Sequence, residues 1–223
     1  MGTLYLVRHA QASFGTDDYD RLSELGHRQA RRLGEYLAAR GQRFDAVITG
    51  TLRRHAETWQ GIAAGLGDGP EPLALPALNE YDSEAVIAAV HPHPLAPPQN
   101  PEQFRAHFRL LRDGLAQWMA GVVSPRGMPS YRDFAAGIAD VLARVRAERV
   151  GQQVLIVSSG GPIATAVGQT LGTSPETTIE LNLRIRNSSL SELAVTPRRL
   201  QLVTYNTLPH LDHPDCRDWV TYA

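Results

Sequence analysis

The 223-residue chain contains no lysine. All 22 of its basic side chains are arginine, set against 23 acidic ones for a formal net charge of −1. That absence excludes every chemistry that needs a side-chain amine: a phosphate-loop lysine, a pyridoxal Schiff base, a kinase-type lysine, a biotinyl carrier. Any anion bound here falls to arginine. The near-balance of charge, with acidic and basic residues interspersed, also argues against a nucleic-acid partner, because such binders gather a basic excess on one face. Cysteine is almost as scarce. Cys216 stands alone, so there is no intrachain disulfide, no four-cysteine zinc site and no CxxC redox pair, and it reads as an ordinary thiol. No run of eighteen apolar residues occurs, and the opening MGTLYLVRHA lacks the charged start and long apolar middle of a secretory leader. No membrane partner and a cytoplasmic location are the expectations.

What is present is an ordinary globular composition, 43% hydrophobic and 20% charged, which predicts one domain over residues 1–223 with a sizeable core. The run Leu4 to Val7 is short and β-prone and ends at Arg8-His9, which reads as a buried strand. Residues 10–22 have no clean period and read as a loop. Ser23 is the expected N-cap of a helix with Ala30, Leu33 and Leu37 on one face. A second strand follows from Phe44 to Thr49. Thr51 is then expected to cap a helix that Gly67 to Pro70 stops. Between about 82 and 130 the character changes. HPHPLAPPQNP is too proline-dense for a regular element, while Phe104 to Trp118 is amphipathic, so the stretch reads as an insertion over one end of a sheet. A helix over Tyr131 to Arg149 precedes a strand at Val154 to Val157, which runs through Ser158-Ser159-Gly160-Gly161 into a helix from Pro162 to Leu171. Ser189 to Val195 and Leu200 to Tyr205 are expected to close the sheet as a hairpin or as neighbours. The alternation predicts a three-layer α/β fold, a mainly parallel open sheet with helices on both faces.

In such sheets ligands sit beyond the carboxyl ends of the strands. The residues standing there are Arg8-His9, Thr49 to Arg54, Asn79-Glu80 and Ser158 to Gly161. Arginine forks and a glycine-rich helix start suit a phosphoryl group: guanidinium binds its oxygens bidentately, and a helix N-terminus offers aligned N–H groups. His91-Pro92-His93 and the tail from His210 to Cys216 hold metal-ligand residue types, but neither spacing matches a metal site, and both read as solvated segments.

The ordered series LVRHAQAS, LSELGHRQA, TGTLRRHAET, LNEYD, VSSGGPI, RNSSLSEL and NTLPHL resembles the histidine phosphatase superfamily, with its phosphoglycerate mutase-like fold, along nearly the whole chain. The resemblance implies that His9 attacks phosphorus and is transiently phosphorylated. It implies that Arg8 and Arg54, the latter chosen over Arg53 by the Leu-x-Arg-Ala-x-x-Thr spacing, bind the phosphoryl oxygens. Glu80 is implied as the acid, although Glu84 lies close by. No metal and no cofactor are implied, and the partner is a small phosphorylated substrate or inorganic phosphate.

Two positions depart from the pattern. Ala10 replaces a glycine, which is harmless if its φ is negative. Ser159 stands where the family has a second histidine, so a neutral donor replaces a charged one, and charged hydrogen bonds are about twice as strong. Ser159 and Gly160 remain the expected phosphate contacts at that strand end. Four side chains are candidates to compensate, namely Arg53, His55, Arg184 and Arg186, and residue order places none of them. The expected activity is therefore phosphomonoester hydrolysis through His9. The alternative is a non-catalytic phosphate-binding protein, with a phosphoglycerate mutase less favoured.

Overall fold

The computed structural model describes residues 2–13, 20–93, 95–96 and 99–222. Part of the expected 10–22 loop (14–19), and Pro94, Pro97 and Pro98 of the proline-rich stretch, lie outside the described residues.

Six strands form one mixed sheet in the order β3-β2-β4-β1-β5-β6. β1 (Gly2–Arg8) lies parallel to β4 (Gln153–Ser158), which lies parallel to β2 (Ala46–Thr49), itself parallel to the short β3 (Leu73–Ala74). β5 (Leu190–Val195) and β6 (Leu200–Thr207) complete the sheet as an antiparallel hairpin.

The period of two along each strand decides what each face buries. Leu4, Leu6, Val154 and Ile156 face α5 (Tyr131–Glu148) and α6 (Gly160–Leu171). Val7, Leu155 and Val157 face α1 (Glu24–Ala39) and α2 (Arg53–Leu66). Burying a Val, Leu or Ile side chain is worth about 1.5–3 kcal/mol, so the central strand β4, apolar on both faces, anchors both layers. A third cluster joins α3 (Ser83–Val90), α4 (Pro101–Met119) and α7 (Pro175–Leu183) around the buried Trp118. This cluster seats much of the 82–130 stretch.

Several boundaries differ from the expectations, each for a local reason. Ser23 does cap α1, accepting from Gly26 N–H. Thr51 does not cap α2; its hydroxyl accepts from Asn79, and the Asp20 carboxylate instead takes the Arg53 N–H at 2.8 Å. α6 begins at Gly160, so Pro162 sits third, where a missing N–H is still harmless. α7, capped by Ser174, escaped the reading because its apolar positions are few. The tail is solvated only in its middle: Asp212 to Asp215 are exposed, whereas His210, Leu211 and Cys216 are buried, with His210 bonded to Ser188. Among the described residues no helix is long and apolar enough to cross a membrane, and no group of three or more His, Cys, Asp or Glu could hold a metal ion.

Candidate active site

The parallel strands β1, β4 and β2 end side by side. Arg8 is in register with Ser158, His9 N–H donates to Ser158 O at 2.7 Å, and Gly50 N–H donates to Val157 O at 3.2 Å. His9 is thereby fixed one residue beyond the sheet. Its carbonyl accepts from Ser188 N–H at 3.2 Å and from the Asn187 side chain at 3.3 Å. Ser188 holds the left-handed conformation (φ 55°) to do so, a backbone strain tolerated because the surrounding bonds over-determine it.

The His9 ring is nearly buried, and its Nδ1 lies 2.8 Å from Ala10 O. A carbonyl only accepts, so Nδ1 carries the proton and Nε2 keeps its lone pair. Burial first, then the charges of Arg8 and Arg54, hold His9 well below the ordinary histidine range, so it is neutral at pH 7. Ala10 is not among the residues with positive φ, and its N–H donates to Thr58 Oγ1 at 3.0 Å, so the missing glycine costs nothing here.

Arg8 and Arg54 approach from two elements. One Arg8 nitrogen donates to the carbonyls of Ile185, at 2.6 Å, and Tyr222. Arg54, in the first turn of α2, is buried and donates to Asp20 Oδ1 at 2.6 Å. Arg53 points outward and pairs with Glu57. Arg184 is exposed, and Arg186 binds Asn206.

Glu80, not the exposed Glu84, is the acid whose carboxylate meets the start of α6, just past the end of β4. Its carboxylate accepts from Gly161 N–H at 3.1 and 3.2 Å and from Tyr81 N–H at 3.2 Å. Desolvation pushes the Glu80 carboxyl up, opposed by the Gly161 N–H and by both arginines. The bare glycine at 161 makes room for these bonds, since a Cβ there would meet Glu80 Oε1 at 2.2 Å and the Tyr81 ring at 2.6 Å.

Ser159 is fully buried, and its Oγ lies 2.7 Å from His55 Nε2. The His55 ring is also fully buried, 5.7 Å from the His9 ring centroid and tilted by 37°. Burial, then Arg54, lowers His55 to about 3, so it too is neutral. The structure thus brings His9, Arg8, Arg54, Glu80, Ser159 and Gly160 to one end of the sheet, and adds His55 and Asp20. His55 had a sequence signal, a histidine directly after Arg54 where the resemblance expects alanine. Asp20 had none, because a loop carboxylate reaching the start of α2 leaves no periodic trace.

The model of the histidine phosphatase superfamily (branch 1) matches residues 4–208. A 2,3-bisphosphoglycerate-dependent phosphoglycerate mutase of Sinorhizobium fredii is 30% identical over 196 residues, covering 82% of this chain and 85% of that one. Another protein of that name, from Mesorhizobium japonicum, is 39% identical over 88 residues, covering 36% of this chain and 42% of that one. Among solved structures, a mutant phosphoserine phosphatase of Entamoeba histolytica in complex with phosphoserine matches with a TM-score of 0.68 at 17% identity, over 95% of this chain and 100% of that one.

Proposed function

From the premise that this chain belongs to the histidine phosphatase superfamily, we propose that it hydrolyses small phosphomonoesters through a phosphohistidine on His9. The carrying observation is the bond from His9 Nδ1 to Ala10 O, which leaves Nε2 of a neutral ring unprotonated, with its lone pair available for attack. In the first step Nε2 bonds to phosphorus as the ester P–O bond breaks, and the protonated Glu80 gives its proton to the leaving oxygen. In the second a water oxygen attacks phosphorus, Glu80 takes the water's proton, and the P–N bond breaks to restore neutral His9. Arg8 and Arg54 neutralise charge spreading over the transferring oxygens. The N-terminus of α6 at Gly160 faces the same end of the sheet, where helix N–H groups favour an anion. The phosphoserine complex of the structural neighbour supports a small phosphorylated substrate, and inorganic phosphate is the product expected to compete with it.

One observation favours a second reading. The Ser159 hydroxyl is fully buried against His55, itself neutral, so that strand end adds no side-chain cation to Arg8 and Arg54 among the described residues. A site left without enough charge stabilisation would bind phosphate and not turn it over. Turnover of an aryl phosphate, with an acid-labile phosphoenzyme trapped on quenching, is the test. Loss of both in His9→Ala supports hydrolysis. Turnover untouched by His9→Ala overturns it, and phosphate binding without turnover assigns the second reading. Interconversion of phosphoglycerates faster than hydrolysis would instead assign the mutase activity for which the relatives are named.

A further inference from the structure

His55 is a buried histidine that the mechanism above does not use. It follows Arg54 in the first turn of α2, and its ring occupies a space that the backbone at Gly50 leaves for it. A Cβ on Gly50 would meet His55 Nδ1 at 2.2 Å, so the bare glycine at the end of β2 is a condition of the ring's placement. One ring edge faces that glycine, and the other bonds Ser159 Oγ at 2.7 Å, at the end of the neighbouring strand. The ring also stands 5.7 Å from His9. The three partners come from β2, β4 and β1, the three strands whose ends build the site.

We infer that His55 is a positioning residue. It is locked by Ser159 and seated on Gly50, and it forms the wall that holds the His9 ring with Nε2 toward phosphorus. The physical need is specific. His9 has one hydrogen bond to its side chain, at Nδ1, and a single bond leaves the ring plane free to swing about it. A neighbouring ring removes that freedom only if it is itself rigid, which the bond to Ser159 supplies. The pairing also satisfies the Ser159 hydroxyl, which burial would otherwise leave orphaned. Ser159 and His55 therefore act as one unit, and the serine is here the anchor of a histidine supplied from α2.

The inference rests on His9 being the nucleophile, and its test keeps the two separable. His55→Phe keeps the wall but loses the bond to Ser159. His55→Gln keeps a hydrogen-bonding group at the position of Nε2. Steady-state kinetics on an aryl phosphate should show kcat falling about tenfold to a hundredfold in His55→Phe with KM within about twofold, and His55→Gln within about threefold of the parent. Ser159→Ala should lower kcat similarly, and adding His55→Phe to it should cost little more, because both break one bond. Ser159→His alone should lose activity, since its ring needs the space of His55, and pairing it with His55→Ala should recover it. A readout that needs no turnover is the nitrogen NMR of the His9 ring. The parent should show one Nδ1–H tautomer, and His55→Phe should show broadened or mixed signals with an unchanged melting temperature. Equal kcat in His55→Phe and parent, or additive losses in the double variant, or an unaltered His9 signal in His55→Phe, overturns the inference. Absence of turnover in the parent with the NMR difference intact defeats the phosphatase reading alone.

Discussion

Gly161→Ala separates the site's chemistry from its stability more sharply than any other single change. The new Cβ would lie 2.2 Å from Glu80 Oε1 and 2.6 Å from two carbons of the Tyr81 ring. An ordinary van der Waals separation is about 3.5 Å, so the carboxylate must retreat by roughly 1 Å. That movement strains or breaks the two bonds from Gly161 N–H, which measure 3.1 and 3.2 Å. Folding should tolerate it, because the end of a glutamate side chain moves easily. Alanine also gains roughly 0.5–1 kcal/mol over glycine within a helix, against about 1–3 kcal/mol for crowding the Tyr81 ring. Catalysis should not tolerate it. A positioned general acid contributes about a hundredfold to ten-thousandfold, and a misplacement of 1 Å can cost about a hundredfold. The expected result is a kcat on an aryl phosphate reduced about a hundredfold, with phosphate affinity within about threefold, and a melting temperature lowered by no more than a few degrees. A phenol of lower pKa as leaving group should suffer less, because it needs less protonation. Activity within threefold of the parent, or an equal loss for all leaving groups, would refute the assignment of Glu80 as acid.

Asp20→Asn keeps an oxygen for the Arg53 N–H while removing the charge that holds Arg54, and calorimetry should show inorganic phosphate binding up to about fivefold tighter, since a partly exposed ion pair is worth at most about 1 kcal/mol. Trp118→Ala removes a fully buried ring whose Nε1–H donates to Pro129 O at 3.1 Å, and thermal denaturation should fall by about 10 °C, from a cost of about 3–5 kcal/mol. Because Glu80 must be protonated to give its proton, kcat/KM should fall as pH rises through its raised pKa, and the corresponding limb of kcat should lie at higher pH, since bound phosphate adds a negative charge. A carboxyl whose folded pKa is raised contributes stability at low pH that is lost as pH rises, so Glu80→Gln should raise the melting temperature more at pH 8 than at pH 5.

Much of the fold was legible because its signals are local. Val154 to Val157 is short, apolar on both faces and bounded by polar residues, so it could only be a central strand, and Ser23 announces α1 through its cap. The candidate site was legible wherever one of its residues follows an apolar run directly, as Arg8, His9 and Ser159 do. What escaped depends on distance. Asp20 reaches α2 across 34 residues of sequence, and Tyr222 meets Arg8 across 214. His210 read as solvated because a short tail of mixed polarity carries no period, yet it is buried under the Ser188 turn that supports His9. His55 was visible as a residue and not as a partner, because its ring lies against the ends of strands that only the sheet order makes adjacent.

The missing lysine, which first read as an exclusion, has a physical counterpart in how the two arginines are held. A guanidinium is a planar fork whose donors are fixed relative to one another, whereas an ammonium is a point charge that carbonyls cannot aim. The Ile185 and Tyr222 carbonyls meet one nitrogen of Arg8, and Asp20 meets one of Arg54, so each guanidinium is anchored through a fixed donor at the site. These charges also act on Glu80, where they oppose the desolvation that would keep it protonated. A dianionic phosphoryl group between the arginines cancels that opposition and leaves burial to dominate. In the proposed reaction the arginines thus loosen the proton on Glu80 before the phosphoryl group binds and cease to do so once it is bound. On that proposal Glu80 holds its proton most firmly when there is a leaving oxygen to receive it.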